Sequence, residues 1–406
     1  MTKSRKEVAV HIQSEVQFFS VDPLLKKMQE AGYSVTILVD DHSGDNPEAM
    51  DMATKIRSFL KKKGYDSSYF KDCLRRKFDL FLAPYVDGKI KAGCYLKYEY
   101  GTLNIKPNLT YLPVFMERIH GFLCQSTITA NLLSVYGKTF LVDNLRFYNA
   151  SASARFDGIK KKKVLFAPTF NDDVSDDSLK EVLNSLKKKY YVITKGHHGT
   201  EYLKKNHNQK LVLLEESDEY FGPETKLTDL ILDVDVCVFG NSSAVAEALY
   251  VGKPCIVYSD DLDYFRLGDL HTTLYEMAAN KQIITCNNPK DICVAVDDAL
   301  DEKMVKIQKR LGEEILPRKY RNGVDGYLEV IDYFLTNPEA MDYVTFHDYV
   351  INEKYSIIKR YEDELKSIAG KCVEYEEKLD DFAQRKLYKI ADKIYNIEGK
   401  IRNGKG

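Results

Sequence analysis

Four short polar stretches in the second half of the chain carry residue types able to hold an anion. Lys195-Gly196-His197-His198-Gly199 offers an ammonium and two imidazoles, and Gly240-Asn241-Ser242-Ser243 offers an amide and two hydroxyls. Phe166 to Asp172 includes Thr169, and Tyr258-Ser259-Asp260-Asp261 adds carboxylates that could meet a ribose hydroxyl. Each stretch directly follows a short apolar run: 164–167, 191–194, 236–239 and 255–258. Runs of this length bounded by turn residues predict buried strands of a parallel sheet. In open α/β sheets, ligands bind outside the carboxyl ends of such strands. A cation, hydroxyl donors and the helix predicted over 244–250 would then oppose one negative charge together, which suits a diphosphate. The plain reading of Asn241 to Ser243 is an N-cap, because Ser and Asn are the usual residues there. A surface His pair is also commonly inert, so the position after a strand is what singles these residues out.

The elements that must position these stretches follow from the hydrophobic pattern. The chain opens with a strand over 7–12, a helix over 23–31 closed by Gly32, and a strand over 34–39, a βαβ start that implies a parallel sheet. A helix over 46–63 carries Pro47 in its first turn. Further strands are predicted over 78–82, 92–98, 121–125 and 139–142, with helices around 114–118 and over 128–136. Small residues and the run Lys160 to Lys163 read as a linker. The second half then repeats the pattern: strands over 164–167, 191–194, 211–214, 236–239, 255–258 and 283–286, and helices over 177–187, 226–232, 244–250 and 289–300. Two successive doubly wound sheets would leave a cleft between them, and a helix over 327–335 could cross back over the first domain.

With 406 residues, 44% of them apolar, the chain can build two cores and more. Lys plus Arg (59) nearly balance Asp plus Glu (61), so no global field points to nucleic acid. The eight cysteines stand singly without a C-x-x-C, as small buried hydrophobes of a reducing cytoplasm do. The opening residues lack the apolar stretch of a signal peptide, and no run approaches a membrane span. A cytoplasmic protein, with peripheral contact at the inner face of a membrane as an option, is the expectation.

The tail is different. Ile358, Tyr361, Leu365, Ile368, Cys372, Tyr375 and Leu379 alternate steps of three and four. After a four-residue phase shift the series resumes at Ala383, Leu387, Ile390, Ile394, Ile397 and Ile401. This is a heptad seam with one stutter. Packing on its own domain and self-association between copies are equally compatible with it.

The ordered segments VLFAPTFNDD, VITKGHHG and 235–258 resemble the CDP-glycerol glycerophosphotransferase family of teichoic-acid and capsule synthesis. That family carries an A-P-T-(W/F)-R-D segment, a K-x-H-P segment and a D-Y-S-S segment that ends in K-P-V-I. The resemblance implies the two-domain glycosyltransferase fold called GT-B, with a C-terminal domain that holds a nucleotide-diphosphate donor. It implicates Thr169, Lys195, His197, Ser242 and Ser243 in donor contacts, with Gly240, Asn241 and Asp260 beside them, and Lys253-Pro254 as the structural end of the motif. In the first domain, Tyr100-Gly101-Thr102 with Lys106 stands where the family has H-G-T-P-x-K, and Asp143 to Arg146 resembles its G-x-P-R-x-D. Tyr100 replaces the family's catalytic His, and a tyrosine of ordinary pKa near 10 is a poor base at neutral pH. Glu99 is therefore the candidate base, with His197 as second catalytic candidate. Asn171 replaces an Arg, which removes a bidentate phosphate donor.

The resulting expectations are specific. Residues 1–150 form a Rossmann-like acceptor domain, 160–315 a donor domain, 316–340 crossover helices and 341–406 the amphipathic tail. The protein transfers a glycerophosphate or sugar group from a CDP- or UDP-linked donor to a hydroxyl acceptor, lipid-linked or polymeric, without a bound cofactor or metal. The turn F-G-N-S-S also resembles the G-N-S-S-S of UDP-N-acetylglucosamine 2-epimerases, which leaves an epimerase, or an inactive GT-B scaffold, as the alternatives.

Overall fold

The computed structural model describes residues 5–41, 47–84, 90–99, 101, 119–134, 137–169, 174–197, 212–260, 266–267, 270–271, 273–316 and 323–337, with Ile368, Lys371, Lys378 and Lys386. The first sheet comprises β1 (Glu7–His11), β2 (Ser34–Val39), β3 (Ser67–Tyr69), β4 (Lys77–Ala83), β5 (Lys91–Tyr98), β6 (Gly121–Cys124) and β7 (Lys138–Leu141). These lie in the order β3-β2-β1-β4-β5-β6-β7, all parallel. The second comprises β8 (Lys163–Ala167), β9 (Tyr191–Lys195), β10 (Glu219–Phe221), β11 (Val236–Phe239), β12 (Cys255–Tyr258) and β13 (Ile284–Cys286). Their order, β10-β9-β8-β11-β12-β13, is again parallel and reverses direction between β8 and β11. That reversal is the topological switch point, where the loops leave the sheet on opposite sides and open a crevice.

In the first domain, Val8, Val10, Leu80, Leu82, Leu96 and Tyr98 point to one core, against Phe18, Leu24 and Leu25 of helix α1 (Glu15–Glu30) and Ile56 and Phe59 of α2 (Pro47–Lys62). Alternate residues of each strand share a face, so one register places them all inward. Helix α3 (Thr127–Leu133) follows β6. The second domain carries α4 (Asp176–Lys189), α5 (Leu227–Asp233), α6 (Ala244–Tyr250), α7 (Ile292–Ala299) and α8 (Glu302–Ile315) around its sheet. In α9 (Gly323–Thr336), Val324, Tyr327, Val330, Ile331 and Phe334 return the chain to the first core. At Gly121, an added Cβ would stand 2.8 Å from the Phe334 ring, so this crossing requires glycine.

Two elements differ from the pattern reading. Helix α1 starts eight residues before the predicted Pro23, because Ser14 caps it by accepting from the Gln17 N–H. Pro23 lies inside that helix and removes one backbone hydrogen bond without ending it. The strand predicted over 211–214 is instead helical across 212–215, and the sheet edge is β10. A four-residue apolar run does not distinguish the two states by periodicity. The helix predicted at 114–118 lies outside the described residues.

Residues 1–348 form one compact unit and 349–406 another. In the second, Ile368, Lys371, Lys378 and Lys386 are helical and exposed, and the other positions of the heptad seam lie outside the described residues.

Candidate functional site

The registers of the second sheet bring three strand exits to one level. Phe239 of β11 pairs with Ala167 of β8, and Phe166 of β8 with Thr194 of β9. The residues that follow therefore emerge side by side: Pro168 and Thr169, Lys195 to His197, and Gly240 to Ser243. Most of them border a cleft whose space, with its part open to solvent, totals about 840 Å³. Lys195, Gly196, His197, Ser242, Ser243, Ala167 and Pro168 line it from the second domain. Val16 and Phe19 of α1, Gly101 and Arg146 line it from the first.

The polar side chains are held differently. Lys195 is buried, with Nζ 3.4 Å from the Gly196 carbonyl. Gly196 packs closely under Tyr220, where an added Cβ would meet the hydroxyl at 2.5 Å. A side chain at position 196 would have to displace the Tyr220 hydroxyl. The Ser242 hydroxyl accepts from the Ala244 N–H at 3.2 Å, a capping bond. Ser243 occupies the N-cap position of α6 but its side chain makes no cap bond. The capping reading thus accounts for one serine and leaves the Ser243 hydroxyl in the cleft wall.

Beneath these residues lies an ion pair between the domains. Arg146, in a 3₁₀ turn after β7, donates to a carboxylate oxygen of Glu247 on α6. Both are almost fully buried, Arg146 at 5% and Glu247 at 1% exposure, and both line the cleft. Burial raises the Glu247 pKa, and the charges of Arg146 and Lys195 pull it back. The same turn anchors the domains through neighbouring contacts. Thr228 Oγ1 donates to the Arg146 carbonyl at 3.2 Å, Tyr250 Oη to Asp143 Oδ1 at 3.1 Å, and Phe147 stacks on Tyr250 at 4.9 Å. The segment 143–146, singled out in the sequence for its likeness to a family motif, thus supplies both an anchor between the domains and a cleft residue.

The far end of the cleft went unseen in the sequence. Pro223, Thr225, Lys226 and Leu227 line it beside Phe19. Lys226 places its ammonium 5.9 Å from the Phe19 ring centroid, and burial lowers its pKa, offset by Asp229 and Asp22. Nothing in the local sequence marks Lys226, which reads as an ordinary helix start.

The other predicted residues fall behind or away from the cleft. Thr169, Gly240 and Asn241 are buried beside the lining. Asp260 belongs elsewhere: it accepts from the Ser175 backbone N–H at 2.8 Å and from Tyr258 Oη at 3.0 Å. Burial works to raise its pKa, but these bonds, with those of the Ser175 and Ser178 hydroxyls, outweigh it and hold the carboxyl below its ordinary value. Asp260 ties the loop before α4 to the end of β12 and is not among the residues that line the cleft. Glu99 is likewise not presented to the cleft. It is 6% exposed, its Oε2 accepts from the Gln125 N–H at 2.6 Å, and its Oε1 accepts from Thr129 Oγ1 at 3.0 Å. A carboxylate so engaged fastens the start of α3 to the end of β5. Lys253 Nζ donates to the carbonyls of Leu232 (3.2 Å) and Val234 (2.6 Å), a structural closure of α5. Tyr100, Thr102, Lys106, Asn171, Asp172, His198 and Asp261 lie outside the described residues.

Residues 150–311 match the family model of CDP-Glycerol:Poly(glycerophosphate) glycerophosphotransferase. The match falls on the second domain. The match spans the linker, the whole second sheet and most of α8, and so includes every cleft residue of that domain. No curated protein matches the sequence. Among solved structures, the chain is similar to Staphylococcus aureus MnaA with UDP, at a TM-score of 0.54 and 13% identity over 81% of this chain and 97% of that one. It is similar to a putative UDP-N-acetylglucosamine 2-epimerase from Listeria monocytogenes (0.51, 11%, covering 82% and 97%). It is also similar to Arabidopsis thaliana UGT89C1 complexed with UDP-L-rhamnose (0.52, 11%, covering 82% and 99%). At these identities the likeness establishes the fold: two parallel-sheet α/β domains in the GT-B arrangement.

Proposed function

We propose that the cleft binds the diphosphate of a nucleotide-activated donor, and that the protein transfers the donor's glycerophosphate or sugar group to a hydroxyl acceptor. The observation that carries this reading is the convergence of Lys195 and His197 with Ser242 and Ser243 on one cleft, inside the domain that matches the glycerophosphotransferase family model. Structures of the same fold with UDP or UDP-L-rhamnose support a nucleotide ligand.

In glycerophosphate transfer the acceptor oxygen attacks the outer phosphorus and a nucleoside monophosphate leaves. In sugar transfer it attacks the anomeric carbon and the nucleoside diphosphate leaves. In both cases negative charge grows on the departing phosphate oxygen and a proton leaves the acceptor hydroxyl. Lys195, and His197 as a donor, oppose that charge in a partly dry cleft, where such stabilisation is strongest. Thr169 and Asn241 support the turns that aim them. Glu99 anchors α3 in this reading rather than taking the proton. The acceptor binds against the first domain, and a lipid-linked or polymeric acceptor would bring the protein to a membrane surface. Among the described residues no helix is long and apolar enough to cross a membrane.

A thermal-shift series with cytidine and uridine diphosphates tests the reading. The preferred nucleotide at a hundredfold excess over its Kd should stabilise the fold by about 2.7 kcal/mol. His197→Ala should bind it more weakly. If no nucleotide stabilises the wild-type protein, the reading fails.

A further inference from the structure

Residues 349–406 form a compact unit of their own. Of its apolar seam, Ile368 is helical and 57% exposed, so the single chain leaves this seam position open to water. Lys371, Lys378 and Lys386 are helical and exposed as well. Most of the stability of a helix comes from packing of its apolar face, and a seam of period 3.5 is buried best by a helix of the same period. In heptad lettering Ile358, Leu365, Cys372 and Leu379 stand at a, with Tyr361, Ile368 and Tyr375 at d. After the phase shift Leu387, Ile394 and Ile401 take a, with Ile390 and Ile397 at d. Gly370 and Gly399 both fall at f, the outermost position, where glycine weakens a helix without opening a gap in the seam.

The charges beside the seam select the partner. From Lys371 onward the g positions are all lysine: Lys371, Lys378, Lys386, Lys393 and Lys400. The e positions on either side of the phase shift are acidic or small: Glu362, Ala369, Glu376, Ala391 and Glu398. In a parallel pair each g residue faces the e residue of the next heptad on the other copy, so Lys371 meets Glu376 and Lys393 meets Glu398. In an antiparallel pair g faces g, and the lysines oppose one another along the coil. We propose that the tail is a self-association surface whose partner is the same tail of another copy of this chain, parallel and in register. Parallel pairing brings the amino ends of the tails together, so the units that precede them leave the coil at one end. This pairing is independent of what the cleft binds.

Sedimentation equilibrium of the full chain at micromolar concentration, under reducing conditions, tests the pairing. The wild-type mass should be at least twice 46.7 kDa, and Ile368→Asp should return it toward the single-chain value. Ile368 is exposed in the single chain, so that substitution removes nothing from either domain core. Lys371→Glu should weaken association at least about threefold, since g and e then carry like charge, and adding Glu376→Lys should restore it. Cys372 reports the direction separately: parallel in-register copies bring two Cys372 thiols together at a, and an antiparallel pair keeps them apart. Diamide should therefore link two copies through a disulfide that Cys372→Ser abolishes, six of the other cysteines being buried. A wild-type mass of 46.7 kDa, or a larger mass that Ile368→Asp leaves unchanged, overturns the tail as the interface. Association without the Cys372 link, or not weakened by Lys371→Glu, overturns the parallel arrangement.

Discussion

Replacing Lys195 with Met isolates the charge on which the site depends, because Met keeps most of the side-chain length and volume. Lys195 is only 8% exposed, so its ammonium is little screened by solvent. A charge-assisted hydrogen bond in such a place is worth about 1.5–3 kcal/mol, or roughly 10- to 150-fold in Kd. The Gly196 carbonyl takes the ammonium in the empty cleft, and that bond must be given up on binding. The net loss should therefore sit at the lower end, about 10- to 30-fold. Titration calorimetry with the preferred nucleoside diphosphate and with pyrophosphate measures it. Both ligands should weaken by the same factor, because the contact is to the shared diphosphate. A folded Lys195→Met protein that binds within about twofold of wild type would refute the placement of the diphosphate. A loss confined to the nucleotide would move Lys195 to the nucleoside end of the cleft.

Other substitutions separate scaffold from site. Glu99→Gln should lower stability by about 1–2 kcal/mol as charged bonds to Gln125 and Thr129 become neutral ones. Turnover of the donor found by thermal shift should stay within about threefold, against the roughly 10²- to 10⁴-fold loss that removal of a general base brings, and such a loss would restore Glu99 as the base. Lys253→Met, which leaves the Leu232 and Val234 carbonyls without their donor, should cost about 1–2 kcal/mol in denaturant melts and leave nucleotide affinity unchanged. Asp260 has a depressed pKa in the fold, so the stability it adds is complete above its unfolded value near 3.8 and is lost as pH falls through and below that value. Asp260→Asn should accordingly have the lower Tm at pH 7, with the gap to wild type closing below about pH 4, and nucleotide affinity should not change; a gap constant with pH would show that the carboxylate charge is not what matters.

Much of this architecture was legible in the chain because strand type and strand exit are local properties. The runs 164–167, 236–239 and 255–258 announce buried strands by composition, and the polar residues after them stand at carboxyl ends in any parallel sheet. Lys195, His197, Ser242 and Ser243 meet in one cleft for that reason. What a side chain does with its direction was not legible. Glu99, one residue beyond β5, and Asp260, two beyond β12, also stand at strand exits, yet partners from Gln125 and Thr129, and from Ser175 and Tyr258, claim their oxygens. Those partners are distant in sequence or depend on helix caps, which no pattern of the acidic residue itself records. Glu247 shows the converse. It sits in a helix of small apolar residues, A-V-A-E-A-L-Y, where a lone acid looks like the solvent-facing position. The opposite holds, because the residue that neutralises it, Arg146, comes from the other domain some hundred positions earlier. A buried charge in an apolar helix is tolerable only with a partner. An acid in so apolar a stretch is therefore a reason to look for that partner before assigning it to the surface.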